Sequence, residues 1–243
     1  MKRAPQWITE TPIAHRGLHN GTDTIENTME AFIAAGAHGY AVELDIRQSG
    51  DGEIVVFHDS DLARLTNCPQ KVDELKWDQI KTLSILNTRS KISRLEDVME
   101  SIGGSIPLLI EIKDHPEIGK LEASLKKLLD KYKGPYAVQS FNPRILSWFK
   151  QNAPYIARGQ LSGSLDEANL SGLTRFLLRN LLLNFMSRPH FISYEAESFP
   201  KLSVLLIAKL QKLPILLWTI KSEEQAKTIE NICANFIFEG FLP

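Results

Sequence analysis

Short runs rich in β-branched and aromatic residues alternate with longer helical patterns from the first tenth of the chain to its end. This alternation constrains the fold more than any other feature, because repeated β-then-α units build a parallel sheet covered by helices. Strand patterns fall at 12–15, 40–47, 107–113, 136–140, 155–161, 190–195, 214–220 and 235–239. Helical patterns lie between them, at 28–36, 117–132, 143–152, 198–212 and 222–233. Eight strands in 243 residues match an α/β fold of the (β/α)8 TIM-barrel class, since such barrels run to about 250 residues as one unit. A doubly wound open sheet would use fewer strands. The polar stretch 59–106 is too long for a simple crossover helix and is expected to be an insertion between the second and third barrel strands. With no low-complexity tract, shared repeat or linker-like run, residues 1–243 are expected to form a single domain. Ser222 with Gln225, and Ser93 with Glu96, each fit the spacing of a capping box at a helix start.

Composition narrows the function. The 28 Lys+Arg against 29 Asp+Glu give a formal charge of −1. That leaves no global basic field for nucleic acid or an anionic membrane, so phosphate recognition has to come from a local constellation. The basic start is followed by Pro5, Gln6 and Trp7 instead of an apolar run, so it does not read as a secretory signal. The most apolar stretches are interrupted by Arg179, Lys209, Lys212 and Pro214, short of the roughly 18 apolar residues of a membrane span. Cys68 and Cys233 share no motif, so neither a zinc site nor a disulfide is indicated and a cytoplasmic location is expected.

In such a barrel the active site lies where the C-terminal strand ends meet, so polar residues finishing apolar strands carry the signal. His15, Arg16 and Gly17 finish the first strand. Glu43 and Asp45 lie on one face of the second strand, with Val42, Leu44 and Ile46 on the other. Glu111 and Lys113 stand against Ile110 and Ile112 in the same way on the third. Three crowded carboxylates repel unless a hard cation neutralises them. Oxygen ligands favour Mg2+ or Ca2+ over zinc. His15 and His58 are then candidate acid and base, because imidazole titrates near neutrality. Arg16 and Lys113 add the fixed positive charge that a reacting phosphoryl group needs.

The ordered set His15-Arg16-Gly17, Glu26-Asn27-Thr28, Ala31-Phe32, Glu43-Leu44-Asp45-Ile46, Asp51-Gly52, Val55-Val56-Phe57-His58-Asp59, Leu62 with Arg64 and Thr66, and Glu111-Ile112-Lys113 resembles the glycerophosphodiester phosphodiesterase family. The resemblance continues more sparsely through Gln139-Ser140-Phe141 and Trp218-Thr219. It implies a metal-dependent TIM barrel that hydrolyses glycerophosphodiesters to glycerol 3-phosphate and an alcohol. By resemblance, Glu43, Asp45 and Glu111 are metal ligands for Mg2+ or Ca2+, His15 and His58 the acid/base pair, and Arg16 and Lys113 the phosphate contacts. Gln139, Phe141 and Trp218 are candidates for the substrate pocket or for the core. The family's usual scheme is attack by the glycerol 2-hydroxyl on phosphorus, followed by opening of the cyclic phosphate by water. The insertion, with Ile92-Ser93-Arg94-Leu95-Glu96, stands where the family places one. Two departures are Ile25, where many relatives have Pro, and the closing Phe238-Glu239-Gly240-Phe241-Leu242-Pro243.

Other residues are expected in structural roles. Asn27 is expected as a helix N-cap, and Glu26 fits either a structural or a site role. His19, His38, His115 and His190 lack carboxylate-rich neighbours at ligand spacing. Residues 174–188 read as a helix apolar on all sides, for which a dimer contact, a flap, peripheral lipid contact or packing under loops each remain open. Two further functions stay open beside the main one: a phospholipase D-like enzyme on lysophospholipids, and a catalytically silent barrel that binds glycerophosphodiesters.

Overall fold

The computed structural model describes residues 3–86, 88–166, 170–229 and 231–243. The chain runs α1 (Gln6–Glu10), β1 (Ile13–Ala14), α2 (Met29–Ala37), β2 (Ala41–Gln48), β3 (Ile54–Val56), α3 (Ala63–Thr66), α4 (Trp77–Ile80), α5 (Leu95–Ile102) and β4 (Leu108–Ile112). It continues through α6 (Lys120–Lys131), β5 (Tyr136–Ser140), α7 (Pro143–Asn152), β6 (Arg158–Ser162), α8 (Gly172–Arg179), α9 (Asn184–Ser187), β7 (Phe191–Glu195), α10 (Leu202–Gln211), β8 (Ile215–Ile220), α11 (Glu223–Ile229) and β9 (Asn235–Phe238). The strands expected from sequence all form, and the β-then-α order is that of a (β/α)8 barrel.

Two compact units divide the chain: residues 13–136, and residues 137–243 with 1–12. In the first, β1, β2 and β4 pair in parallel. Their side chains are buried except for Arg47 and Gln48 at the end of β2, as expected for parallel strands covered on both faces. β3, which the strand pattern did not reveal, pairs antiparallel with β2, Ile46 facing Val56. Asp51-Gly52 supplies the turn, with Gly52 at φ 97, and the Ser49 amide donates to the Glu53 carbonyl at 2.9 Å. Residues 59–106 carry α3, α4 and α5. Leu62, Leu65, Val72, Leu75, Ile80, Ile85 and Ile92 form a local core there with Ile25, Val55 and Phe57. The Ser93–Glu96 capping box does not form: Arg94 is the N-cap of α5 and engages Asp97 through its guanidinium.

The second unit holds the parallel strands β5 to β9. Its apolar core joins Ile192, Tyr194, Val204, Ala208, Ile215, Leu217 and Ile220. Ser222 accepts from the Gln225 amide at 3.2 Å, half of the expected capping box, while the Gln225 side chain takes the Lys221 amide at 2.8 Å. The single helix expected over 174–188 is two short helices. Leu181 takes φ 56 between them and is buried against the core. The helix can stop there because its last carbonyls find other donors. Ser162 donates to Leu178 at 2.9 Å and the Tyr194 hydroxyl to Arg179 at 3.1 Å.

Asn235 ties α1 to the start of β9, its amide donating to the carbonyls of Ile8 at 2.9 Å and Thr11 at 2.7 Å. Asn235→Ala strands both acceptors and should destabilise the protein by about 1–3 kcal/mol in urea unfolding. An unchanged midpoint would show that the clamp is not structural.

Candidate active site

The site grows from the geometry of β2 and β4. Period-two alternation puts Glu43 and Asp45 on one face of β2, and the parallel register sets Asp45 beside Glu111 on β4. All three are buried, and one oxygen from each lies within 4.8 Å of the others. Among the described residues, Glu43 Oε1 has no hydrogen-bond partner. Burial, then repulsion from Asp45 and Glu111, drives the Glu43 carboxyl well above the usual range. Burial acts in the same sense on Asp45, but Lys113, Arg16 and His58 outweigh it and hold that carboxyl well below the usual range. Lys113 Nζ lies 2.7 Å from Asp45 Oδ1 and also pairs with Glu111. Burial opposes the Lys113 charge, yet these two acids raise its pKa. An orphaned oxygen beside two more carboxylates is a donor set that suits a hard divalent cation.

The turn after β1 completes the cluster. Arg16 takes φ 55 and Gly17 φ 81, which aims the Arg16 amide at Glu43 Oε2, 3.0 Å away. Only glycine fits after it, because a Cβ on Gly17 would lie 2.8 Å from Ala31 atoms. The Arg16 guanidinium lies 3.3 Å from Asp45 Oδ2 and 2.7 Å from Glu26 Oε1. His15 is half-buried directly before it.

His58 follows β3. Its Nδ1 lies 2.8 Å from Asp59 Oδ1, and because a carboxylate only accepts, Nδ1 carries the proton and Nε2 is the free lone pair. Burial lowers the His58 pKa against the pull of Asp45. Asp59 is held in turn by Arg64 Nε at 2.6 Å, and Arg64 grips Glu26 with both terminal nitrogens at 2.9 and 2.7 Å. An unbroken ionic chain thus runs from His58 through Asp59, Arg64 and Glu26 to Arg16. Sequence reasoning had no signal for it beyond the presence of these residues in the family motif.

Asn27 corrects an expectation. The N-cap of α2 is Thr28, which accepts from the Ala31 amide. Asn27 instead takes φ 58 and clasps Asp45 twice, Nδ2 donating to Oδ2 at 2.8 Å and Oδ1 accepting from the Asp45 amide at 3.1 Å. It fixes a cluster carboxylate. Beside Lys113 opens a cavity of about 530 Å³ whose walls include Arg47, Ser60, Lys71, Asp73 and His115. His115 steadies the Lys113 backbone by bonding its carbonyl at 3.0 Å and faces Glu122 at 3.3 Å. His38 bonds the Ala34 carbonyl, and His190 accepts from the Arg158 amide.

Gln139, Phe141 and Trp218 lie in the other unit. Gln139 is buried and accepts from Ser193 at 2.8 Å. Phe141 and Trp218 meet edge to face at 5.7 Å, and the Trp218 indole N–H is buried without an acceptor among the described residues.

The chain is of the (β/α)8 class, with a buried cluster of three carboxylates on the barrel strands β2 and β4. The model of the glycerophosphoryl diester phosphodiesterase family matches residues 15–238, and the chain belongs to that family. YhdW of Bacillus subtilis (strain 168) is 28% identical over 229 residues, 90% of this chain and 89% of that protein. The structure of an Oleispira antarctica phosphodiesterase, solved in complex with the product sn-glycerol-3-phosphate, is 25% identical with a TM-score of 0.76 over 97% of this chain and 93% of that one. The glycerophosphodiester phosphodiesterase of Thermotoga maritima is 27% identical with a TM-score of 0.73 over 94% of each chain.

Two outcomes follow from this geometry. The Asp59 contact raises the His58 pKa, so Asp59→Asn should move the His58 titration to lower pH in an NMR pH series. An unmoved titration contradicts the contact. For His115, burial lowers the pKa but Glu122 and the Lys113 carbonyl outweigh it, leaving the folded value above the unfolded one. Its stabilising contribution is therefore full below about pH 6.5 and lost as pH rises through the folded value. The stability gap between wild type and His115→Asn should shrink on going from acidic to alkaline buffer. A gap that widens reverses the sign.

Proposed function

We propose that this chain is a metal-dependent hydrolase that cleaves glycerophosphodiesters to glycerol 3-phosphate and an alcohol. The observation that carries the reading is the convergence of Glu43, Asp45 and Glu111 on one point, with Lys113 and Arg16 against them. Family membership and the product bound in the Oleispira relative support the substrate class. The family match over residues 15–238 supports treating the chain as one domain.

The three carboxylates would hold a single Mg2+ or Ca2+, which supplies positive charge to the phosphoryl oxygens. Arg16 and Lys113 add fixed charge for the same oxygens. His58, whose charged form burial disfavours and whose ring Asp59 turns, suits the general base: its Nε2 takes the proton of the glycerol 2-hydroxyl as that oxygen bonds to phosphorus. His15 gives a proton to the departing alcohol oxygen as its bond to phosphorus breaks. Water then opens the cyclic phosphate with the two histidines exchanging roles. Cytoplasmic action is part of the proposal, supported by the free Cys68 and Cys233. Among the described residues, no helix is long and apolar enough to cross a membrane.

The test is release of glycerol 3-phosphate from glycerophosphocholine by purified protein, after EDTA treatment and again with Mg2+ or Ca2+ restored. Release should vanish with EDTA and return with the metal. His15→Ala and His58→Ala should each lower kcat/KM by about 10²–10⁴ with circular dichroism unchanged. Turnover that survives EDTA removes the metal from the scheme, and near-wild-type turnover in either variant removes that histidine. Tight, metal-dependent binding without any turnover would make the protein a binding barrel.

A further inference from the structure

The unit of residues 137–243 presents apolar side chains to solvent in an organised way. On α10, Leu202, Leu206 and Leu210 are between 54 and 82% exposed, and their i, i+4, i+8 spacing places them in one stripe. On the preceding helical pair, Leu173, Phe176, Leu182 and Phe185 are between 43 and 70% exposed. The two segments adjoin. Ser203 Oγ donates to Asn180 Oδ1 at 2.8 Å, and Leu181 packs with Val204 and Ala208 beneath them. Exposed large apolar side chains on two adjoining segments are a feature of interaction sites.

The charges around it identify the partner. Residues 170–188 contain Arg175, Arg179 and Arg188, residues 201–213 contain Lys201, Lys209 and Lys212, and neither segment contains a carboxylate. Arg179 is partly balanced from outside these segments, by Asp166 at 3.8 Å and by Glu195, which leaves the lysines of 201–213 as the main cations of the face. Arg179 is also close enough to Lys201 to disfavour its charge, after the larger effect of burial. Two copies of this chain meeting face to face across a two-fold axis would set these cations against each other. An anionic lipid surface accepts both features, taking leucine and phenylalanine side chains into the boundary region while its head groups meet the lysines and arginines.

We propose that this apolar, cationic face, built by α8, α9 and α10, docks the protein peripherally on an anionic lipid bilayer. The proposal stands apart from the hydrolytic reading, because none of its residues belongs to the carboxylate cluster or its ionic chain.

Co-sedimentation of the full chain with large vesicles tests it, using phosphatidylcholine alone and phosphatidylcholine mixed with phosphatidylglycerol. The protein should pellet with the mixed vesicles, weakly or not at all with phosphatidylcholine, and less as salt is raised. Leu206→Glu with Leu210→Glu should abolish pelleting. Lys201→Glu, a surface charge change that spares the core, should weaken it by about fivefold or more. Turnover of soluble glycerophosphocholine should be unchanged in both variants. No binding to mixed vesicles, or binding indifferent to both variants, overturns the proposal. A concentration-dependent dimer in sedimentation equilibrium that the leucine variant dissociates would assign the face to a second copy instead.

Discussion

Three carboxylates held out of water within 4.8 Å of one another set the terms for the structure around them. Such a group resists being fully ionised, so the surrounding residues distribute its charge unevenly. Asp45 is the favoured anion, its carboxylate taking Lys113, Arg16 and Asn27 Nδ2 while Asn27 Oδ1 holds its backbone amide. Glu43, with one oxygen unpartnered among the described residues, is the carboxyl whose charged form burial and its two acid neighbours disfavour. A divalent cation reverses that preference, because its charge is greater and nearer than any side chain can offer. A cation held there would favour the ionised form of Glu43, so its binding would be linked to pH.

The surrounding elements serve this centre at some local cost. Arg16 and Asn27, neither a glycine, both sit at positive φ, a conformation that natural side chains adopt where neighbouring contacts enforce it. The Asn27 amide donates to the Arg16 carbonyl at 2.9 Å, which binds the two strained positions to each other. From Arg16 the ionic chain passes through Glu26 and Arg64 to Asp59 and His58. The insertion is thereby connected to the cluster by charge as well as by its own apolar core, and His58 is oriented by residues that do not touch the carboxylates.

What the sequence revealed, and what it did not, follows from the range of the forces involved. Strand alternation is local, so Glu43, Asp45 and Glu111 could be placed on common faces from their neighbours alone. Asn27 was misread as a cap because cap and clasp differ by one residue and a sign of φ. Thr28 fills the cap equally well, and the partner that decides the matter lies on β2. The Arg64 bridge to Glu26 spans 38 positions, and no periodicity encodes such a contact. The same holds for the break at Leu181: the apolar pattern continues through it, and the chain turns only because Ser162 and Tyr194 capture the ending carbonyls. The hairpin of β2 and β3 carried a readable Asp51-Gly52 turn, but Ile54–Val56 is too short to stand out as a strand by itself.

The central proposal is that the three buried acids together hold one cation, whose charge favours the ionised form of Glu43. Isothermal titration of Mg2+ or Ca2+ into metal-stripped protein, repeated in two buffers of different protonation enthalpy, measures both halves at once. The account predicts one cation per chain, an observed heat that changes with the buffer because a proton leaves on binding, and loss of that buffer dependence in Glu43→Gln together with weaker binding. Binding with no proton release, or affinity undiminished in Glu43→Gln, would contradict it.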